Sequence, residues 1–534
     1  MNDGACRTSR FRWAALGVFA ALLAATTSAR ATGFTDIGQD ITPRESAEVK
    51  VSGYLRTRGE ALTNLDLDRG ATPSGQLLFP VSLSEPKRQT FTLFDTRLRT
   101  DVAIYAPGGM VAVKARIDVL DNLAWGSVPE GIPSASTTQR SPTEAAMRLK
   151  RAYGEALLPF GVVTAGRMGA HWGLGMTVNG GDCADCDSGD AADRLALIVP
   201  SAGHVFALAY DVSAIGPLTP RGIQGRSIAF EPAASVQSAT LAVLNFKDDL
   251  ARERRTRAGK ATVEYGSYVS YRWQDKDVPS TYLAAAAPPP ITASQIMQRG
   301  FRAGAIDAWA RITSQYVRVE GEAAYLFAEV EQSSLLPGAL LRTPATSRQL
   351  GAALISEIGE ADAGARGGVD LGYASGDNAP GFGARASTNA APPRAGDLDG
   401  PQAIPPYDMR VDNFRFHPDY RVDRILFREI IGTVTDAVYV RPHGRLRIGR
   451  TASGEFAFDV AAVASWAVQK ASAPGEKAPL GIEVDPTLTY EDRLGFRVAV
   501  EQATLFPLAG LDNPRAGLSA RPAQLWRLRL AYVF

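Results

Sequence analysis

Apolar and polar residues alternate one by one, about ten residues at a time, along most of this chain. Thr92 to Ile104 places Phe94, Leu98, Val102 and Ile104 on one face, and Asp95, Arg97, Arg99 and Asp101 on the other. Val111 to Leu120 opposes Val111, Val113, Ala115, Ile117 and Val119 to Lys114, Arg116 and Asp118. Thr262 to Gln274 sends Val263, Tyr265, Val269, Tyr271 and Trp273 one way, and Glu264, Tyr268, Ser270, Arg272 and Gln274 the other. The same division separates Val317, Val319, Ala323, Tyr325 and Phe327 from Arg318, Glu320 and Glu322, and Ile482, Val484, Leu488 and Tyr490 from Glu483, Asp485 and Glu491. A period of two belongs to an extended strand, whose successive side chains leave opposite faces. Ten residues is about the length of a tilted strand crossing a bilayer. The chain therefore reads as all-β, a single transmembrane antiparallel β-barrel. A soluble sandwich or β-helix would alternate against a core in the same way, but no fixed-period repeat marks a β-helix or propeller.

The connections alternate as well. Brief ones fall at Ala106-Pro107-Gly108-Gly109, Leu158 to Gly161, Pro200 to Gly203, Ser314-Gln315, Ala452 to Gly454 and Asp492-Arg493. Long polar ones lie near 60–88, 122–146, 173–191, 276–299, 332–346, 376–434 and 507–522. Short periplasmic turns and long extracellular loops are the asymmetry expected of this class. With a first strand near Glu48 the count comes to about 18 strands, 16 being the alternative. The pattern is weakest near 191–200 and 237–247.

The two ends fit an exported barrel. Arg7, Arg10 and Arg12 precede an uncharged apolar run from Trp13 to Thr27, followed by Ala29-Arg30-Ala31. This is the layout of a secretory signal peptide, residues 1–31, and it would remove Cys6. Residues 32–47 are expected to be a periplasmic segment, and 48–534 the barrel. The final strand, Trp526 to Phe534, sets Trp526, Leu528, Leu530, Tyr532 and Phe534 against Arg527, Arg529 and Ala531. A terminal aromatic in an amphipathic strand resembles the signal by which outer-membrane barrels are taken up for assembly. The resemblance implies the barrel-assembly machinery as a partner, acting through the Phe534 strand, with outer-membrane lipid around the barrel.

Charge on the inward faces carries the chemistry. Lys and Arg total 57 against 56 Asp and Glu, so no bulk field attracts nucleic acid, and none is expected as a partner. The candidate pore-lining residues are Arg97, Arg99, Asp101, Lys114, Arg116, Asp118, Arg318, Glu320, Glu322, Glu483, Asp485 and Glu501. A tight hairpin at Pro107-Gly108 predicts Asp101 opposite Lys114, Arg99 opposite Arg116, and Arg97 opposite Asp118. The middle pair sets two guanidinium groups together, which is unfavourable without water or an anion between them. Opposed acidic and basic walls set selectivity by field and width. A salt-bridge ladder filling a wet lumen is the plainer reading of any one of these residues.

Cys183 and Cys186 stand in G-G-D-C-A-D-C-D-S-G-D. Three readings are open: a small loop disulfide, free or partner-linked thiols, and a metal site using Asp182, Asp185, Asp187 and Asp190, which lack EF-hand spacing. The run Arg252 to Arg257 is diluted by Asp248, Asp249 and Glu253 and reads as a solvated periplasmic turn. His171, His204, His417 and His443 show no two-His metal spacing, and neither G-x-S-x-G nor H-E-x-x-H occurs, so no catalytic residue, metal or cofactor is expected. The segment 376–434 is too long for a plain connection. Its second half, F-R-F-H-P-D-Y-R-V-D-R-I-L-F-R-E-I-I-G, has a helix-like pattern at Ile425, Leu426, Glu429 and Ile430. It is expected to fold into the pore as a constriction through Arg415, His417, Asp419, Arg421, Asp423 and Arg424, or else to cap the outer rim.

Three motifs carry a further resemblance: G-Y-A-S-G-D (Gly372 to Asp377), G-I-E-V-D-P-T-L-T-Y (Gly481 to Tyr490) and T-L-F-P (Thr504 to Pro507). Together they resemble the closing third of alginate-export-type outer-membrane channels, porin-like barrels of eighteen strands. With R-A-Y-G-E-A-L-L-P-F-G (Arg151 to Gly161) and A-G-R-M-G (Ala165 to Gly169), the whole chain resembles more an uncharacterised barrel family of myxobacteria and their relatives. The expected function is a porin-like channel in the outer membrane of a Gram-negative bacterium, passing small polar or charged solutes. An exporter of an acidic exopolysaccharide and a loop-plugged structural or receptor barrel are the alternatives, with a barrel hydrolase last.

Overall fold

The computed structural model describes residues 33–34, 37–38, 42, 44–87, 89–126, 147–220, 227–278, 292–334, 340–341, 343–359, 364–384, 393–400 and 408–534. The expected signal peptide, with Cys6, lies outside the described residues, as do 385–392 and 401–407 of the long loop.

Eighteen antiparallel strands form one closed sheet. They are β1 (Glu48–Thr63), β2 (Thr90–Tyr105), β3 (Val111–Ala124), β4 (Met147–Leu158), β5 (Gly161–Gly169), β6 (Ala191–Ser201), β7 (His204–Ala214), β8 (Val236–Asn245) and β9 (Thr262–Asp277). Then come β10 (Met297–Thr313), β11 (Val317–Val330), β12 (Ala345–Ile358), β13 (Ala365–Ala374), β14 (Ala437–Arg450), β15 (Gly454–Ala467), β16 (Pro479–Asp492), β17 (Phe496–Pro507) and β18 (Ala523–Val533). Each strand pairs with the next in the chain, and β1 closes on β18 from Tyr54 opposite Val533 to Thr63 opposite Gln524. Gly53 and Phe534 exchange backbone hydrogen bonds of 2.9 and 3.0 Å, so the ladder runs to the last residue. In lipid this closure is obligatory, because an open edge leaves its N–H and C=O groups without partners.

The β2–β3 register differs from the expected one by two residues. Tyr105 pairs with Ala112, Arg99 with Asp118, and Asp101 with Arg116. The turn is wider than a two-residue hairpin: Ala106 N donates to Val111 O, with Gly108 and Gly109 both at positive φ. A slip of two keeps every side chain on its face and changes only its partner. It replaces the expected Arg99–Arg116 clash with two arginine–carboxylate pairs. The periplasmic turn 248–258 departs from the plain solvated turn expected. Residues Asp249–Arg257 form an α-helix, with the Asp248 carboxylate accepting from Ala251 N at 2.6 Å and no buried residue. A separate two-stranded ribbon, Leu218–Pro220 with Ser227–Ala229, stands in the loop after β7.

Outward positions are aliphatic at mid-strand: Leu208, Leu241, Val269, Ile306, Leu350, Leu446, Val500 and Leu528 are all exposed. Aromatics gather toward both rims. Tyr265, Phe456, Tyr490, Phe496 and Tyr532 sit toward the short-turn rim, and Phe94, Tyr271, Phe327, Trp466, Phe506 and Trp526 toward the loop rim. Such a continuous apolar surface belongs in a bilayer, with its aromatics at the two interfaces. Replacing Leu528 with Arg should lower the free energy of unfolding in lipid vesicles by about 2–4 kcal/mol. Denaturant titration checks this, and an unchanged midpoint would mean that the face does not meet lipid.

Candidate functional site

One inward wall is basic. Arg56 and Arg58 on β1, Arg97 and Arg99 on β2, Arg116 on β3, Arg151 on β4, and Arg527 and Arg529 on β18 all project inside, and most are buried. Their carboxylate partners come first from the wall itself. Asp118 receives Arg99 Nε and Nη2 at 2.7 Å each. Asp101 receives Arg116 Nε and Nη2 at 2.6 and 2.9 Å. Asp121 takes Arg97 Nε at 2.8 Å, Glu155 takes Lys114 Nζ at 3.0 Å, and Glu60 pairs with Arg527. Glu501 receives Arg529 Nη2 at 2.8 Å. Buried guanidinium groups need such forked pairing, because desolvation otherwise outweighs attraction.

The remaining partners come from the loop 170–190, which folds inward across this wall. Arg97 donates to the Cys186 and Asp187 carbonyls at 2.6 and 3.0 Å, Arg99 to Gly181 O at 2.5 Å, and Arg56 to Ala184 O at 3.0 Å. Asp182 pairs with Arg116 and lies 3.0 Å from Arg151. Asp185 meets Arg428 at 2.5 Å and Arg58 at 3.5 Å. Asp187 meets Arg421 at 2.9 Å, Arg58 at 3.2 Å, Arg428 at 3.3 Å and Arg56 at 3.5 Å. Burial works against the Asp187 charge, but Arg58, Arg428, Arg421 and Arg56 outweigh it and hold the carboxyl down at about 2. The Cys183 and Cys186 sulfurs are bonded, closing the tight turn that carries these aspartates. Asp182, Asp185 and Asp187 thus face arginines, and Asp190 lies 3.4 Å from His417. Among the described residues no His, Cys, Asp and Glu group has the makings of a metal site.

Two inward carboxylates on other walls hold the loops by their backbones. Glu322 on β11 accepts from Leu174 N at 2.5 Å and Thr177 Oγ1 at 3.2 Å. Glu483 on β16 accepts from Arg424 N, Ile425 N and Leu426 N at 2.9, 2.8 and 2.9 Å. These N–H groups lead into the π-helix Leu426–Ile430, so the carboxylate sits at the positive end of a helical turn. Asp423 caps the same turn through Phe427 N at 3.0 Å. Glu320 receives Trp309 Nε1 at 2.8 Å and pairs with Arg318.

The long loop does enter the barrel. Asp419 accepts from Asp187 N and Ser188 N at 2.8 and 3.0 Å, and His417 N donates to Met176 O at 2.7 Å. Arg421 reaches Asp187, and Arg424 reaches Gln502 O at 3.3 Å and Asp485 at 3.9 Å. Arg415 stays within its own loop, on Ala384 O. Phe382, Phe414, Phe416, Ile425, Leu426, Phe427 and Ile430 are buried against Tyr439, Val463, Leu480 and Leu505 of the barrel wall. Of the expected pore-lining set, Arg97, Asp118, Glu320, Glu322 and Glu483 are almost wholly buried, and Asp485 and Glu501 border a cavity. That cavity, about 230 Å³, lies inside the wall of β12 to β17 beneath the long loop. It sets Arg366, Arg424, Arg441 and Arg445 among Glu357, Asp459, Asp485 and Glu501. A second cavity, about 440 Å³, lies between the first and last loops at the rim, lined by Asp66, Asp68, Leu77 and Arg521 among others. Its opposed charges are fewer, with Arg521 3.0 Å from Asp68.

Arg56, Arg58, Arg428, Arg441 and His443 are among the inward residues that the sequence pattern leaves unassigned. L-R-T-R-G-E in β1 alternates as clearly as β2 and carries the signal for the first two. Arg428 has none, because its direction depends on how the loop folds.

No known protein-family pattern matches the chain, and no curated protein matches it. Among solved structures, the fold is similar to outer-membrane porin barrels. A BenF-like porin from Pseudomonas fluorescens Pf-5 shares 9% identity, with 92% of this chain and 100% of that one covered at a TM-score of 0.44. OccK11 of Pseudomonas aeruginosa shares 10%, with 91% and 96% covered at 0.43. The outer-membrane channel DcaP of Acinetobacter baumannii shares 10%, with 92% and 99% covered at 0.37. At such identities no residue role carries across.

Glu483→Ala removes the acceptor of three N–H groups, each costing about 1–3 kcal/mol when left buried without a partner. The long loop should undock, and trypsin should then cut after Arg421, Arg424 or Arg428 under conditions where the parent resists. The clasp on Asp187 has a defined acid limit. Its depressed carboxyl contributes fully above its ordinary 3.8, and the contribution is lost as pH falls through about 2. Asp185, lowered well below the ordinary range by Arg428, Arg529 and Arg527 against burial, acts in the same direction. An acid-active protease should therefore open the parent loop only near pH 2, and Asp187→Asn already at pH 5. Equal profiles would mean that Asp187 does not hold the loop.

Proposed function

We propose that this protein is an outer-membrane channel of porin type, selective for small solutes carrying both charges. The carrying observation is the inward cavity beneath the long loop, where arginines and carboxylates stand opposed within one wall. A barrel meeting lipid outside and bearing paired charge inside suits diffusion of a hydrated polar solute, with width and field setting selectivity. The near balance of charge around the cavity speaks against a polyanion as cargo. The motifs that resemble alginate-export-type barrels and a myxobacterial family fit this reading as a common barrel build. In our reading the terminal strand, ending on Phe534, is the part offered to the assembly machinery.

Purified protein in a planar bilayer should give steady single-channel current. Arg366→Glu with Arg445→Glu should move the reversal potential in a salt gradient toward cations. Unmoved potentials with normal current would place the path elsewhere.

A second reading has its own observation. The apolar packing of Phe382, Phe414, Phe416 and Phe427 inside the barrel is that of a fixed core. A structural or receptor barrel with a permanently filled lumen would look the same, and absence of current at every voltage would favour it.

A further inference from the structure

The inner wall from β6 to β10 differs from the rest of the lumen. Ala196 and Ile198 on β6, Ala207 and Ala209 on β7, Ala242 and Leu244 on β8, Tyr268 on β9 and Trp309 on β10 all face inward. A water-filled lumen would wet this strip, yet Ala196, Ala207, Ala209 and Ala242 are only 1–2% exposed. Part of the cover is Trp172 from the infolded loop, whose indole lies over Gly266 and donates to Asp307 at 3.0 Å. The rest comes from the segment that precedes β1. Phe34 is buried in the same apolar cluster, with Ile37 packed against it. The Arg194 guanidinium stands 5.0 Å over the Phe34 ring, and Gly38 N donates to Glu155 Oε2 at 3.2 Å. At Gly33 a Cβ would come within 2.5 Å of His171 O, and at Gly38 within 2.7 Å of Val162 Cγ2, so the backbone lies hard against both the loop and the wall.

We propose that Phe34 and Ile37 form a tethered plug that seals the apolar side of the lumen. The attachment is of a kind that can release. Among the described residues it consists of two apolar side chains, one cation–π contact and one side-chain hydrogen bond to a backbone N–H, with no strand pairing to the wall. The barrel ladder, by contrast, continues through every strand. Leaving their seat would cost Phe34 and Ile37 none of the sheet pairings among the described residues and would uncover a strip of alanine, isoleucine, leucine and tyrosine side chains. The seat stands on packing alone. Its effect on conductance rests on the channel reading.

Ala196→Cys reports on the seat, being the next inward residue after Arg194. Cys183 and Cys186 are bonded to each other, so they do not compete for label. In full-length protein in outer-membrane vesicles, a membrane-impermeant maleimide should label Ala196→Cys slowly. With Phe34→Ala and Ile37→Ala added, labelling should quicken at least tenfold, while Phe34→Leu with Ile37→Leu should stay near the parent rate. An unchanged heat-modifiable shift in gel mobility shows that the barrel has folded in each case. Equal labelling in the parent and the double-alanine variant overturns the plug. Faster labelling with larger single-channel current supports both the plug and the channel. Faster labelling with no current in either protein keeps the plug and removes the channel reading. Faster labelling with unchanged parent current overturns the sealing role.

Discussion

Everything in this molecule depends on the pairing of β1 with β18. In hydrocarbon an unpaired N–H or C=O costs several kcal/mol, and an edge strand carries a row of them. Joining Tyr54–Thr63 to Gln524–Val533 abolishes both edges at once. Closure also makes the two faces unequal, one toward lipid and one toward the interior. From then on the parity of a residue decides its fate. Arg527 and Arg529 lie inside because Trp526 and Leu528 lie outside. A strand displaced by two residues keeps that sorting, which is why β2 and β3 hold their charges inside despite a register other than the simple one. A displacement by one would turn the arginine wall into lipid.

Once the faces are sorted, the interior has to satisfy a large number of charges. Arg56, Arg97 and Arg527 are fully buried, a condition tolerable only when each guanidinium is paired. The wall supplies some acids, and the infolded loops supply the rest. The loop 170–190 brings Asp182, Asp185 and Asp187, and the long loop brings Asp419 to cap its backbone. The exchange is reciprocal, since Glu322 and Glu483 of the wall accept the N–H groups of those same loops. The loops are therefore held by charge at their tips and by phenylalanine and isoleucine packing behind. Charge that alone would suggest a wet ladder instead works largely as the mortar of a filled interior. The cavity beneath the long loop lies on the side of β12 to β17.

Alternation in Thr92–Ile104 or Val317–Ala328 is unmistakable because one face meets lipid and the other meets charge. It therefore marks these strands and the closing stave. It was faint in β6 and β8 for a physical reason. There Ala196, Ile198, Ala242 and Leu244 face inward beside outward Leu195 and Leu241, so both faces are apolar and the period disappears. The weakness of the pattern was itself a trace of something covering that wall. Pairing partners were harder to read, since a turn two residues wider re-pairs every arginine without altering any face. The meeting of Asp185 with Arg428 crosses more than two hundred residues of chain and leaves no local mark. The sequence motifs fall where the loops attach. Gly372 leaves room for the Tyr439 ring, Ser375 and Asp377 hold the backbone of 412–414, and Glu483 receives the helical turn. Such positions tolerate few residue types, so they are recognisable while their contacts are not.

The lumen is thus divided by chemistry into a charged side and an apolar side, and the two behave differently toward water. On the charged side, moving the long loop would take Arg428 from Asp185, and Arg421 and Arg428 from Asp187, unless water or a charged solute took their place. In the proposed channel a solute with both charges would take those places, and an apolar molecule would not. On the apolar side the seat of Phe34 and Ile37 is held mainly by apolar packing, with one cation–π contact beside it, so their leaving exposes hydrocarbon to water. Opening there is governed by burial and opening beneath the long loop by ion pairing. Salt should therefore weaken the second and leave the first nearly untouched, because screening acts on charges and not on buried methyl groups.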